Sequence, residues 1–202
     1  MAAELSRAQR IAQAYPRMAS YADLIVETSG RLGIDPAWLA NIIQLESGGN
    51  PQARNPTSRA TGLIQFMPCP TCTAEGLGTT VDALYQMNGR QQMPYVERYF
   101  QNTIRARGPL RSQEDVIGAV FYPAHIGKPD KEFPAIVQQQ NAGLRTLRDY
   151  AKRLAVRAKL PIEGIGISDV GALAANYWWL LVIGAAGVAG AVIWRKRQAE
   201  NG

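Results

Sequence analysis

Glu46 holds a position in the chain that suits acid catalysis. A row of apolar residues with the i, i+3, i+4 spacing of one buried helix face leads up to it: Leu39, Ile42 and Ile43. Glu46 takes the next position on this face, and Gly48 and Gly49 end the helix directly afterwards. The helix dipole and partial burial both disfavour an ionised carboxylate there, so we expect a raised pKa. Such an acid can protonate a glycosidic oxygen near neutral pH. On spacing alone, a solvated glutamate at a frayed helix end is the simpler interpretation.

Two helices and a loop position this acid. Residues 21–32 have the apolar period of a core helix, which Gly33 ends. Asp35 caps the next helix, because its carboxylate can accept from free backbone N–H groups, and Pro36 suits the first helical position. Residues 50–61 are rich in Asn, Pro, Ser, Thr and Arg without an apolar period, which is typical of a loop.

A short apolar run follows this loop. Residues 62–67 contain one polar side chain, Gln65, and Pro68 comes next. Periodicity does not distinguish between a strand and a turn that enters a helix.

Three further helices are predicted before residue 160. Residues 83–103 form the first, with aromatic bulk on its core face. Ser112 and Asp115 resemble a capping box for the second, which ends near Pro123. Residues 143–159 form a basic amphipathic helix, whose charged face is either solvated or in contact with anionic lipid headgroups.

The C-terminal region has the pattern of a membrane anchor. Residues 170–194 contain no charged side chain and are numerous enough to cross a bilayer as a helix. Aromatic residues suited to the headgroup level stand near both ends: Tyr177, Trp178, Trp179 and Trp194. We therefore predict a linker at 161–169, a transmembrane helix at 170–194 and a basic tail at 195–202; a buried core helix is the alternative. The positive-inside rule then places the tail in the cytoplasm and the large domain on the periplasmic side, whereas the basic helix before the linker favours the opposite orientation. We favour the first, because the basic residues at 195–197 directly follow the span.

The composition fits one globular domain with an appendage. The chain has 202 residues, a net charge of +6 and a pI of about 9.5, which favours anionic partners such as acidic lipid, cell-wall polymer or nucleic acid. Residues 1–20 are interpreted as a polar N-terminal arm without a cleavable export signal, because charged residues interrupt it. Two cysteines are too few to staple the fold.

Two motifs occur in order, Glu46-Ser47-Gly48-Gly49-Asn50-Pro51 and Gly62-Leu63-Ile64-Gln65-Phe66-Met67-Pro68. Together they resemble the signature of the soluble lytic transglycosylase domain, a relative of goose-type lysozyme, over about residues 20–125. The resemblance implies a mainly α, lysozyme-like domain, here residues 21–160, that acts on the glycan strands of peptidoglycan. It also implies that Glu46 is the catalytic acid and base, that Ser47 orients the reacting sugar and that Gln65 lines the cleft. Met67 is assigned to substrate binding with them.

The Tyr-Asn-Ala-Gly motif of this family is altered here. Its counterpart is Tyr122-Pro123-Ala124-His125, whereas the literal Asn141-Ala142-Gly143 lacks the tyrosine. We assign Tyr122 to substrate binding, because it ends a helix whose apolar face should pack in the core. His125 is expected at the cleft edge. The cysteines at 69 and 72 are interpreted as a structural pair, with a redox motif and a zinc site as alternatives.

A single acid suits lytic transglycosylation, in which no metal or cofactor takes part. Most glycosidases use two carboxylates, but none lies near Glu46 in the sequence. As the resemblance implies, Glu46 protonates the glycosidic oxygen and then deprotonates the 6-hydroxyl of the sugar, leaving a 1,6-anhydro end. Three later acids could supply a second carboxylate and permit hydrolysis: Glu75, Asp82 and Asp115.

These observations predict a membrane-anchored lytic transglycosylase. The pattern around residues 121–128 also looks like that of phage-encoded members. With the expected lack of a cleavable export signal, this favours a virion protein that opens the cell wall for genome entry. A bacterial envelope enzyme for secretion-system assembly is one alternative. Another is a structural ejection conduit that contacts nucleic acid and only binds glycan. Small residues at 186, 187, 190 and 191 would allow the membrane helix to form a homo-oligomer, and other virion or envelope proteins are possible partners.

Overall fold

The computed structural model describes residues 5–68 and 73–161, and this part of the chain is mainly helical. Its α-helices are α1 (Arg7–Ala14), α2 (Ala22–Leu32), α3 (Pro36–Ser47), α4 (Thr73–Gly76), α5 (Val81–Gln86), α6 (Gly89–Arg107), α7 (Gln113–Phe121), α8 (Ala135–Gln140) and α9 (Leu147–Arg157). Two 3-10 helices, Pro16–Tyr21 and Pro123–His125, complete the set. The described residues form isolated β-bridges but no β-strand.

The start and end of α3 are confirmed. The Asp35 carboxylate accepts a hydrogen bond from the backbone N–H of Ala37 at 2.7 Å, and Pro36 is the first helical residue. Gly48 ends the helix in the left-handed conformation, with φ at 62°. Short polar and glycine signals at fixed positions therefore determine both ends of this helix.

Helix α3 lies at the centre of the domain and not at its surface. It packs against α1, α2, α7 and α9. Residues 39–43 are all buried, so burial extends around the helix and beyond the single apolar face that the spacing predicts. A helix surrounded by four others has no solvated side over this stretch, which holds its C-terminal residues rigidly in place.

The N-terminal segment differs from the prediction of an arm that precedes the domain. Helix α1 ends at Ala14, before Pro16, and the 3-10 helix continues the chain toward α2. Ile11, Tyr15 and Met18 are at most 2% exposed and belong to the main hydrophobic core. The polar composition of the segment does not predict this packing. One apolar residue per helical turn is enough for the segment to pack against the core.

Two predicted helices have different bounds in the structure. The helix predicted over residues 83–103 is two helices, α5 and α6, because Asn88 and Gln91 form a capping box that starts α6. The basic helix predicted over 143–159 begins only at Leu147, where Thr146 and Asp149 form another capping box. In both cases side-chain capping decides where the helix starts.

Several predictions fall outside the described residues. Within residues 5–68 and 73–161, no helix has the length and apolar character needed to cross a bilayer. The segments predicted as a transmembrane helix and a basic tail lie beyond residue 161, as does most of the linker. The cysteine pair also lies outside the described ranges.

Candidate functional site

Glu46 lies in the last turn of α3 and is partly buried. Among the described residues, no group makes a hydrogen bond to its carboxylate, so nothing replaces the water that burial removes. Burial raises the pKa of Glu46 from 4.5 to about 7. The predicted rise in pKa is thus confirmed, and its cause is loss of solvent. At neutral pH this residue is a mixture of acid and carboxylate, the two forms that an acid and base catalyst alternates between.

Two tyrosines share the electrostatic environment of Glu46. Burial, and after it the negative charge of Glu46, raise the pKa of Tyr99 on α6 and of Tyr150 on α9. The Tyr99 hydroxyl donates to the carbonyl of Ala119 at 2.7 Å. Neither tyrosine is among the predicted site residues, since Tyr99 has ordinary core spacing and Tyr150 lies on a helix chosen only for its basic charge.

Ser47 is adjacent to the acid and its hydroxyl proton is already engaged. Its Oγ donates to the carbonyl of Ile43 at 3.0 Å, one helical turn earlier. The hydroxyl oxygen is then oriented with its lone pairs available. Ser47 is consequently suited to accept a hydrogen bond from a substrate N–H group.

The second motif forms a tight turn that closes over the first loop. Thr61 and Phe66 exchange two backbone hydrogen bonds, of 2.9 and 2.8 Å, and the N–H of Gly62 donates to the carbonyl of Ala53 at 2.8 Å. Gln65 has φ at 55°, the left-handed region that non-glycine residues seldom occupy. The segment that periodicity left undecided is therefore a turn.

The side chain of Gln65 helps to hold its own unusual backbone. Its Nε2 donates to the carbonyls of Gly62, at 3.1 Å, and Ala53, at 3.3 Å. Both amide protons are used within the loop, which leaves Oε1 as the group that can meet a ligand. Met67 follows, with its backbone N–H donating to the Thr73 hydroxyl at 2.6 Å.

Arg54 joins the first loop to α5. Its guanidinium donates to the Thr61 hydroxyl at 3.0 Å and to the Val81 carbonyl at 2.8 Å, and it lies 3.0 Å from the Asp82 carboxylate. It also stacks on the Tyr85 ring, with 4.3 Å between the guanidinium carbon and the ring centroid. These contacts give the loop a fixed shape despite its lack of regular structure.

Tyr122 follows the last residue of α7, as predicted, and is only 4% exposed. Its ring packs edge-on against His125 and Phe133, at centroid distances of 4.7 and 5.4 Å. The prediction that His125 lies at the cleft edge is wrong, because this residue is 3% exposed and stacks on Phe133. Tyr122 and His125 of the altered motif are thus part of a buried aromatic cluster. Substrate binding by Tyr122 stays a prediction.

Two of the three possible second acids are engaged elsewhere. Asp82 is exposed and accepts from the Arg59 guanidinium at 2.9 and 3.0 Å, which lowers its pKa. Asp115 is buried and accepts backbone N–H bonds from Arg111 and Gly127. Each carboxylate therefore has a structural role within its own part of the fold. Glu75 lies in α4 and remains the third possibility.

A comparison with protein families matches part of the chain. Residues 23–92, roughly a third of the chain, match the family model of the transglycosylase SLT domain. The matched region includes Glu46, Ser47, Gln65 and Met67, and it ends before Tyr122. A search of curated proteins gave no match. The match and the helical fold support the lytic transglycosylase and lysozyme-like superfamily, with peptidoglycan glycan strands as substrate and their cleavage as the general activity.

Proposed function

We propose that this protein cleaves the β-1,4 bond between N-acetylmuramic acid and N-acetylglucosamine by lytic transglycosylation, with Glu46 as the catalytic residue. One observation carries the proposal: a partly buried acid, with no hydrogen-bond partner among the described residues and a pKa of about 7, sits at the end of the central helix. The match to the transglycosylase SLT domain over the same residues supports the choice of substrate.

In the first step, protonated Glu46 gives its proton to the glycosidic oxygen. The bond between that oxygen and C1 of the muramic acid residue breaks, and the leaving sugar departs as an alcohol. The 2-acetamido group of the substrate stabilises the positive charge at C1. A site without a second carboxylate depends on this assistance from the substrate.

In the second step, the Glu46 carboxylate takes the proton of the sugar's own 6-hydroxyl. The oxygen attacks C1 and closes the 1,6-anhydro ring, which restores the protonated acid. No water is consumed. The attack is intramolecular, so the enzyme needs only to hold the ring in a reactive conformation.

The neighbouring residues orient the sugar. Ser47 accepts from the acetamido N–H, because its own proton is bonded to Ile43. Gln65 presents Oε1 to a substrate hydroxyl, since its amide protons are bonded within the loop. Met67, which is partly exposed, contributes apolar surface to a sugar ring. Tyr122 contributes a hydrogen bond near Glu46, as the family resemblance implies, because its ring is packed against His125 and Phe133.

The products test the reaction type. The full chain is incubated with purified peptidoglycan and the fragments are analysed by mass spectrometry. Anhydro ends, which are lighter than reducing ends by one water, are the expected product. Reducing ends would instead establish hydrolysis, and Glu75→Gln would then show whether Glu75 is the second carboxylate.

Activity should decline above pH about 7 as Glu46 loses its proton.

We also propose that residues 170–194 anchor the enzyme in a membrane, with the catalytic domain on the periplasmic side or in a phage virion. The charge-free stretch and the three basic residues that directly follow it, Arg195, Lys196 and Arg197, support the anchor. Carbonate extraction of membranes that contain the full chain tests it, because an anchored protein stays in the pellet. Detection of the protein in purified phage particles would support the virion role over a role in the bacterial envelope.

A further inference from the structure

Gln92 is a fully buried amide whose oxygen and two amide protons are all bonded to backbone groups. It lies in the first turns of α6 and is 0% exposed. Its Oε1 accepts from the N–H of Leu63 at 2.9 Å. Its Nε2 donates to the carbonyls of Pro51, at 2.7 Å, and Leu84, at 2.8 Å. One side chain therefore binds backbone groups of three segments, and among them the N–H of Leu63 is buried.

The three partners belong to segments that are separate in sequence. Pro51 closes the first motif, five residues after Glu46, and Leu63 lies in the second motif, two residues before Gln65. Leu84 is in α5. The bond to Leu63 thus fixes one side of the turn that holds Gln65, while the bond to Pro51 fixes the loop that leaves the acid. The side chain of Gln92 therefore connects the two motifs through hydrogen bonds.

The chemistry of the side chain matches this position closely. Two donors and one acceptor are needed, so a carboxylate or an apolar side chain leaves at least one partner unpaired. Gly62 makes the approach possible, because a Cβ at that residue would lie 2.5 Å from the Gln92 Oε1. The glycine in the second motif is therefore needed for contact with Gln92 as well as for its φ of 85°.

We propose that Gln92 is a positioning residue for catalysis, which sets the distance between the Gln65 turn and the end of α3 without touching substrate. This inference rests on the proposed function. In the proposed reaction Gln65 contacts the sugar that Glu46 protonates, so the relative position of the two motifs decides whether both can act on it. Without the hydrogen bonds to Gln92, the Gln65 turn loses its fixed position relative to Glu46. The helices of the domain keep their packing.

The test compares Gln92→Glu with Gln113→Glu in the full chain. Gln113 is also buried, accepts from Asn41 at 3.2 Å and donates to the Trp38 carbonyl at 3.2 Å, but it contacts neither motif. Both variants place a carboxylate oxygen against a carbonyl, so both should lower the melting temperature. Only Gln92→Glu should lower kcat/KM on glycan oligomers, by about tenfold or more.

Amide hydrogen exchange provides a readout that does not depend on activity. Leu63 and Gln65 should exchange faster in Gln92→Glu, and not in Gln113→Glu. Unchanged exchange at Leu63, or a loss of kcat/KM no larger than that of the control, would overturn the inference. If the wild-type protein does not cleave glycan, the proposed function fails by that result alone, and exchange at Gln65 still decides whether Gln92 positions the turn.

A second pair of variants covers the case in which Gln92→Glu does not fold. Gly62→Ala pushes the Gln92 amide away from Leu63 and leaves the glutamine itself intact. Gly78→Ala carries a similar backbone cost, with φ at 75°, but its new Cβ would meet nothing within 4 Å. Faster exchange at Leu63 in the first variant alone supports the proposal, and equal effects in both contradict it.

Discussion

Glu46 and Asp115 are two acids that are removed from solvent to different extents. Among the described residues, backbone N–H groups donate to the carboxylate of Asp115 but not to that of Glu46. Asp115 lies in the first turn of α7, is 5% exposed and accepts N–H bonds from Arg111 at 2.8 Å and Gly127 at 2.6 Å. Glu46 lies in the last turn of α3 and accepts no hydrogen bond from the described residues. The helix dipole favours a negative charge at the first position and opposes it at the second.

The difference shows that burial by itself does not make an acid structural or catalytic. Asp115 has exchanged water for two backbone donors and connects the start of α7 to the turn at Gly127. Glu46 has lost water without replacement, so its carboxylate is destabilised and its pKa rises to about 7. An unsatisfied group costs stability, and its retention at the end of a rigid central helix is typical of a functional site.

Removal of the Glu46 carboxyl should give the largest effect. Glu46→Gln cannot donate or accept the catalytic proton, and we expect kcat to fall by about 1,000-fold. Release of soluble fragments from peptidoglycan measures it, with circular dichroism to show that the fold persists. The exposed Glu27→Gln should retain full activity. Activity of Glu46→Gln at the level of this control would remove Glu46 from the mechanism.

Removal of the Asp115 carboxyl should affect stability and not chemistry. Asp115→Ala leaves the N–H groups of Arg111 and Gly127 buried without an acceptor, and we expect a loss of about 3 kcal/mol in the free energy of unfolding. Urea denaturation measures it. Asp82→Ala, which removes exposed ion pairs with Arg54 and Arg59, should cost much less. Equal losses in the two variants would contradict the contrast between them.

The partly buried carboxylate of Glu46 should make the free energy of unfolding depend on pH. The folded-state pKa of about 7 lies above the ordinary 4.5, so the folded protein binds the proton more tightly. Below pH 4.5 both states are protonated and there is no penalty, whereas the penalty develops as pH rises to about 7 and persists above it. Glu46→Gln should be more stable than wild type at pH 8, by on the order of 2 kcal/mol after allowance for partial exposure, and equal at pH 4. A constant difference across this range would show that Glu46 titrates normally.

Ser29 extends the comparison to a neutral group and should give the smallest effect. Its hydroxyl is fully buried in α2 without a hydrogen-bond partner among the described residues. Ser29→Ala should stabilise the protein by about 1 kcal/mol, because a desolvated hydroxyl is removed and alanine favours helix. Ser112→Ala is the matched control and should destabilise, because the Ser112 hydroxyl caps α7. A loss of stability in both would mean that Ser29 has a partner in solution.

The local parts of the fold could be predicted from sequence. Asp35, Pro36 and Gly48 determine α3 through contacts within a few residues, and the position of Glu46 on its apolar row predicts the raised pKa. The second motif indicated a site, but not the left-handed backbone of Gln65, which depends on contacts with Ala53 from another segment. Short-range patterns carry no information about such contacts.

The parts that could not be predicted depend on long-range packing. Ile11 and Met18 lie in a segment without a continuous helical apolar row, because Pro16 interrupts it, and the surface that they meet in the fold makes them part of the core. The sequence around His125 predicts a polar loop residue, whereas in the fold its ring stacks on Phe133. Gln92 has an unremarkable place in an amphipathic helix, and its importance follows from backbone groups eight to 41 positions away.

The hydroxyl of Tyr15 connects the two ends of the domain. It donates to Asn41 at 2.6 Å and accepts from the backbone N–H of Lys159 at 2.8 Å, across 144 positions of the chain. Tension applied to the polypeptide beyond residue 161 would therefore reach the domain at Tyr15 and, through it, at Asn41 in α3. Asn41 lies in the helix that ends in Glu46, so hydrogen bonds join the last described residues of the domain to the element that carries the acid.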